Sequence, residues 1–431
     1  MLYISLNSQS SKVTFQKAVT LGLAPDKGLY FPEEIPTLPT DFFNSIENFS
    51  NTEIAFTVIK PYINNEIPDD ELKKIVTDTL CFDFPLVEVG KNCYSLELFH
   101  GPTMAFKDVG ARFMARCLAY FNKIESNSKN TILVATSGDT GGAVASGFLD
   151  VSGVDVVILY PTGKVSKVQE KQLTTLGKNI TALEVDGVFD DCQDMVKKAF
   201  LDDDFKHLNL TSANSINIAR WLPQMFYYFF AYKALKNKSE KLYFSVPSGN
   251  FGNICSGMLA KKMGLPIDGF IAATNSNDTV PRYMIDANYN PKASIATISN
   301  AMDVGNPSNF VRIIKIYQNN FSELQSDLQA ISFSDTETKE AMKFIYKQHN
   351  YITEPHGAIG YLGIQNKLKQ NDNSIGVFLE TAHPIKFLET VKPTLNCSLE
   401  IPEAIKKILA KEKKSIKIES YKQLKSYLLS N

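Results

Sequence analysis

The sequence predicts an α/β protein with two open, parallel-type sheets flanked by helices in two lobes, preceded by an N-terminal segment. At 431 residues the chain is longer than one small core accommodates. From Thr131 onward, short β-branched runs alternate with helical patterns, as in parallel strands joined by right-handed crossovers. A second alternating series opens at Leu242, after a long helical stretch.

Residues 1–90 mix short strand and helix patterns with many prolines and form the N-terminal segment, with Met1–Leu6 as a first strand. Thr131–Ala135 reads as a strand, followed by a glycine-rich turn and the small-residue helix Gly142–Phe148. Val156–Tyr160 is the next strand, Val168–Leu176 a helix, Ile180–Val185 a strand, and Asp190–Phe200 an amphipathic helix with an acidic start. These elements define a small α/β lobe over residues 126–212, and residues 91–125 with 213–431 the larger lobe. One long helix from about Ile216 to Lys236 leads into the larger lobe's later strands and carries the apolar run Met225–Tyr232. There Leu242–Val246, Phe270–Thr274 and Ile375–Leu379 read as buried strands and Ile254–Met263 as a helix. In open α/β sheets ligands lie beyond the carboxyl ends of strands, and the candidate loops below all fall there.

Composition narrows the function classes. Charged residues make up 21% and apolar residues 44% of the chain, and net charge is −1, so no basic field is available for nucleic acid. The lysine-rich stretch Lys406–Lys417 is interleaved with Glu and Ile and reads as a solvated helix or strand face. No stretch approaches the roughly 20 apolar residues of a membrane span, and the N-terminus lacks the pattern of a signal peptide. Six cysteines are scattered without CxxC spacing, so neither a metal site nor a disulfide framework is expected. A cytoplasmic protein, with no nucleic-acid or membrane partner, is the expectation.

Lys107 follows a Gly-Pro turn, sits between Phe106 and Asp108, and opens an apolar helix. Held out of water, its amine would be neutral enough to attack an aldehyde. Taken alone, the run reads more readily as a helix-start lysine reaching solvent. Pro247–Asn253 follows a strand and precedes a helix, a setting in which glycines admit a phosphate to main-chain N–H groups. A plain tight turn fits that spacing equally well. The sequence has neither a GKS/T P-loop nor GxGxxG. Thr136–Gly142 has the same strand–turn–helix setting, as a second anion site or a helix cap by Ser137 or Thr140.

His100–Asp108 (HGPTMAFKD) resembles the pyridoxal-phosphate lysine segment of threonine synthases, which are fold-type-II pyridoxal-phosphate enzymes. Leu21–Pro32 is similar to that family's GLAPDGGLYVP opening, with Lys27 where a glycine is more usual. Thr136–Gly142, Val246–Asn253, Asp303–Asn309 and Leu379–Pro384 match in family order. The resemblance implies a cofactor cleft between the lobes, with Lys107 holding pyridoxal 5'-phosphate. Gly249, Asn250, Phe251, Gly252 and Asn253 would cradle its phosphate, and the Thr381 hydroxyl would bond its pyridine nitrogen. Ser137, Asp139 and Thr140 would grip the substrate's carboxylate, with Asn217 and Arg220 near its phosphate and Lys164, Arg112 and Ser308 as further candidates. Glu354-Pro-His-Gly-Ala stands where the family has Asp-Pro-His-Gly-Ala, and His356 and His383 read as structural histidines.

The implied activity is a carbon–oxygen lyase acting on phosphates, turning O-phospho-L-homoserine and water into L-threonine and phosphate in a monomer or homodimer. A phospholyase releasing 2-oxobutyrate and a non-catalytic pyridoxal-phosphate-binding relative are the alternatives.

Overall fold

The computed structural model describes residues 1–125, 129–238, 241–369 and 373–430. In chain order the strands are β1 (Tyr3–Ser5), β2 (Tyr30–Pro32), β3 (Leu86–Gly90), β4 (Cys93–Glu97), β5 (Asn130–Ala135), β6 (Val154–Pro161), β7 (Ile180–Val185), β8 (Leu210–Thr211), β9 (Lys241–Pro247), β10 (Gly269–Thr274), β11 (Leu328–Ser332), β12 (Ser374–Glu380) and β13 (Ile416–Ile418). The chain packs as two compact units. One holds Pro32–Phe106 and Trp221–Leu399; the other holds Leu2–Phe31, Lys107–Arg220 and Glu400–Asn431.

The first unit is built on a six-stranded sheet in the order β11-β10-β9-β12-β4-β3. Its neighbours are parallel except β3, which pairs antiparallel with β4 at one edge. Every residue of β10 and β12 is buried, which is why these strands read as continuous apolar runs rather than alternating ones. Ile271, Ile345, Ile364 and Phe378 form part of the core on this sheet. The long helix expected over 216–236 is interrupted: Ile218–Trp221 is helical, Leu222–Met225 forms a 3-10 turn, and Phe226–Leu235 resumes the α-helix. Pro223 is the cause, because it has no N–H for the carbonyl four residues back. Phe226–Leu235 is buried along most of its length, as a helix apolar on all sides requires.

The second unit carries an all-parallel sheet in the order β13-β7-β6-β5-β8. Leu133, Leu159, Leu183, Phe205, Ile418 and Leu424 are buried in its core. By sequence residues 400–431 are expected in the larger lobe, whereas β13 pairs with β7, Ile416 opposite Leu183. Lys413, in the lysine-rich stretch, reaches Glu170 at 2.6 Å and the buried Glu184 at 2.8 Å. Covering the β7 edge satisfies main-chain groups that would otherwise stay unpaired. Residues 2–31 also belong to this unit. The expected start of the small lobe, residue 126, lies outside the described residues. Among the described residues no helix is long and apolar enough to cross a membrane.

Lys27, the departure from the glycine usual at this position, has φ 66°. The turn closes through Lys27 N to Ala24 O at 2.8 Å and Ala24 N to Gly28 O at 3.0 Å, and the lysine side chain is exposed. A left-handed conformation costs a residue with a Cβ about 1 kcal/mol. Lys27→Gly is therefore expected to stabilise the protein by about 0.5–1 kcal/mol; a lower urea midpoint than wild type would contradict this.

Candidate active site

Three adjacent parallel strands of the first unit, β9, β12 and β4, end side by side. Phe378 of β12 lies opposite Ser245 of β9, and Glu380 opposite Glu97 of β4. From β9 the chain turns through Ser248–Phe251, with Ser248 N bonded to Ala273 O of β10 at 2.8 Å. Phe251 takes a left-handed conformation, φ 60°, and starts the helix Gly252–Lys262, whose first N–H groups have no acceptor within the helix. The Asp303–Asn309 motif packs on this turn: Ser308 N donates to Asn250 Oδ1 at 2.7 Å, and Asn309 Nδ2 to Asn250 O at 3.0 Å. A Cβ at Gly249 would lie 2.6 Å from Met302 Cα. Asn253 accepts the Tyr227 hydroxyl on Oδ1 at 2.5 Å, with Tyr228 Oη 2.9 Å away. Among the described residues, its buried Nδ2 has no hydrogen-bond partner.

Thr381 follows β12, and its main-chain oxygen accepts Phe106 N at 2.9 Å. Ala105 bridges Ala382, and His383 N donates to Met104 O at 3.1 Å. The buried Lys386 ammonium donates to Thr103 O at 2.9 Å. The segment leading into Lys107 is thus stitched to the chain around Thr381. Lys107 itself is half-buried and is the first residue of the helix Lys107–Ile124. Phe106 closes one stretch of the first unit, and Lys107 opens a stretch of the second.

Beneath Thr381, the Glu380 carboxyl is fully buried. It accepts the Thr353 hydroxyl at 2.7 Å and Glu354 N at 2.9 Å. Burial first, and the nearby charge of Glu354 second, push its pKa far above the usual carboxylate range. His383 Nδ1 accepts Ile385 N at 3.1 Å, capping the turn that follows. Burial, with His100 next in size, lowers the His383 pKa to about 4.

In the second unit, Thr136–Gly142 connects β5 to the helix Asp139–Phe148. Thr136, not Ser137 or Thr140, satisfies the turn: its Oγ1 accepts Gly138 N at 2.9 Å and Gly141 N at 2.8 Å. Ser137 and Thr140 are half-buried. Asp139 is buried and accepts Gln169 Nε2 at 2.9 Å. No short-range motif marked Gln169; a Cβ at Gly138, φ 134°, would meet its side chain at 2.4 Å. Asn214 Nδ2 donates to Ala135 O at 3.3 Å, bringing the 213–220 segment to the end of β5. Asn217 gives its amide protons to Val19 O at 2.9 Å and Ser212 O at 3.1 Å. Arg220 is buried, donates to Ala213 O, and faces the charge of Asp108; burial pushes its guanidinium down to about 10. Both side chains hold the 213–220 segment in place.

The pattern of the family described as pyridoxal-phosphate dependent enzyme matches residues 76–379. The patterns of the threonine synthase N terminus and C-terminal region match residues 2–80 and 357–428. Threonine synthase of Buchnera aphidicola subsp. Baizongia pistaciae is 44% identical over 433 residues, covering 100% of both chains. The crystal structure of threonine synthase from Escherichia coli aligns with a TM-score of 0.94 at 41% identity, over 100% of each chain. The pyridoxal-phosphate-bound structure of the Brucella melitensis threonine synthase aligns with a TM-score of 0.92 at 33% identity, covering 99% of this chain and 98% of that one.

The first unit's residues fit pyridoxal phosphate. Gly249 leaves no room for a side chain at the cradle, Asn253 keeps a buried amide donor, and the helix beginning at Gly252 offers main-chain N–H groups to an anion.

Gly249→Ala forces the new methyl against main-chain atoms and is expected to cost about 1–3 kcal/mol; urea unfolding of the full chain would read it, and an unchanged midpoint would refute the close approach. The depressed pKa of His383 makes its contribution to stability complete above about pH 6.5 and lost as pH falls toward about 4. His383→Asn, which keeps a capping acceptor without titrating, is expected to lose less stability than wild type between pH 7.5 and pH 5. Equal losses in the two proteins would remove His383 as the cause.

Proposed function

The chain belongs to the threonine synthase family of pyridoxal-phosphate-dependent enzymes, and we propose that it converts O-phospho-L-homoserine and water into L-threonine and phosphate. The observation that carries this reading is the convergence, within the first unit, of the glycine cradle, Thr381 and the segment entering Lys107 at the ends of adjacent parallel strands. When bound, pyridoxal phosphate supplies an electron sink for charge developing beside the substrate's amino-bearing carbon.

The overall change takes a proton and gives a hydroxyl at Cβ, and replaces phosphate by a proton at Cγ. A mobile base is therefore needed beside the substrate, and Lys107 is the group assigned to hold the cofactor and to move protons at Cα and Cβ. The N–H groups of Gly249–Asn253 and the Asn253 amide hold the cofactor's phosphate. The Thr381 hydroxyl, a neutral partner, bonds the pyridine nitrogen without fixing a proton there. Ser137 and Thr140 offer hydroxyls to the substrate carboxylate, while Asp139, gripped by Gln169, keeps that turn in shape. Arg220 and Asn217 enter as residues that hold the 213–220 segment. A cytoplasmic location suits the reading, since the six cysteines remain thiols.

Purified protein loaded with cofactor and given O-phospho-L-homoserine is expected to release threonine and phosphate in equal amounts. Lys107→Ala should reduce the rate by roughly 10²–10⁴-fold. Phosphate accompanied mainly by 2-oxobutyrate would identify a phospholyase, and no phosphate from protein with an intact cofactor band would remove the substrate assignment.

A further inference from the structure

His356 takes part in no step of the proposed reaction, yet it stands in a continuous chain of buried contacts within the first unit. The chain starts at Glu380, the residue before Thr381, whose carboxyl accepts Glu354 N at 2.9 Å. Glu354 is fully buried and caps the helix Pro355–Leu368, accepting His356 N at 2.8 Å and Gly357 N at 3.0 Å. The same carboxylate bonds His356 Nδ1. On the other side of the ring, His356 Nε2 lies 3.2 Å from Ala301 N. The Phe387 ring, with its centroid 4.9 Å away, packs on the imidazole. Ala301 and Met302 are the main-chain residues that close on Gly249: a Cβ there would lie 3.2 Å from Ala301 O and 2.6 Å from Met302 Cα.

The tautomer follows from the partners. A main-chain N–H can only donate, so Nε2 presents a lone pair to Ala301 and the ring proton sits on Nδ1, facing a carboxylate that can only accept. A proton on Nε2 would set two donors against each other and push Ala301–Met302 off the glycine turn. A leucine or phenylalanine of similar volume would fill the space and leave Ala301 N without an acceptor.

We propose that His356, held by Glu354 as the neutral Nδ1–H tautomer, is a positioning residue for the cofactor's phosphate: through Ala301 it keeps the Met302 main chain seated on Gly249 and so sets the shape of the Gly249–Asn253 cradle. The proposal rests on the cofactor reading given above. It also assigns a shared function to two sequence segments, Asp303–Asn309 with the residues just before it and Glu354–Ala358. The chain from Glu380 through Glu354 and His356 to Gly249 ties the partner of the pyridine nitrogen to the partner of the phosphate, so it fixes the spacing between the two ends of the ligand.

The test compares two aldehydes that differ only in the phosphate. Full-length protein stripped of cofactor is titrated with pyridoxal phosphate and with pyridoxal, following the visible band, for wild type, His356→Ala and His356→Gln. Loss of one hydrogen bond to the cradle's support is expected to weaken pyridoxal phosphate about tenfold in His356→Ala while pyridoxal affinity holds. His356→Gln, whose amide oxygen can accept from Ala301 N, should recover part of the loss. Equal weakening of both aldehydes, or of neither, would overturn the proposal while leaving the cofactor reading standing. Failure of wild type to form a band with pyridoxal phosphate would overturn both. Should the alanine variant not fold, ¹⁵N shifts of the wild-type ring decide the matter: an unprotonated Nε2 supports the clamp, and a protonated Nε2 rules it out.

Discussion

The parallel hydrogen-bonding of β9, β12 and β4 is the constraint on which the rest of the first unit's site depends. Because the strands are in register, with Phe378 beside Ser245 and Glu380 beside Glu97, their carboxyl ends deliver a glycine turn, a lone hydroxyl and the segment entering Lys107 to one edge. None of these groups could be brought there by local preference alone. Ladder bonds place the main chain, and the side chains inherit their positions from it.

Burial then decides the chemistry of the polar groups beneath that edge. Glu380, Glu354 and His356 are all enclosed, where an unmatched donor or acceptor costs far more than in water. Each consequently has a defined partner: Thr353 and Glu354 N for Glu380, the first amides of a helix for Glu354, Ala301 N for His356. Gly357 belongs to the same arrangement, since a Cβ there would lie 1.5 Å from Glu380 Oε2. Glu354, standing where the sequence resemblance leads one to expect aspartate, caps the helix Pro355–Leu368 and bonds the His356 imidazole.

The second unit works on a different principle. Its turn at Thr136–Gly142 is satisfied by Thr136 and braced by Gln169 through Asp139. This division of labour leaves the neighbouring hydroxyls of Ser137 and Thr140 out of the capping network. Asn217 and Arg220, by contrast, are taken up in holding the 213–220 segment against Val19, Ser212 and Ala213.

Much of the architecture was legible in the chain. Runs such as Thr131–Ala135 and Leu242–Val246 are strands because β-branched and apolar residues fit a largely buried sheet, and turn–helix signals after them place the candidate loops at the carboxyl ends. The motif order from Leu21 to Pro384 specified the family. What only the tertiary structure decided is non-local. The docking of Ile416–Ile418 on β7, the bracing of Asp139 by Gln169 and the closure of Met302 on Gly249 join residues far apart in sequence. Such contacts depend on which buried group finds a partner once the chain is compact, and no spacing along the sequence encodes that.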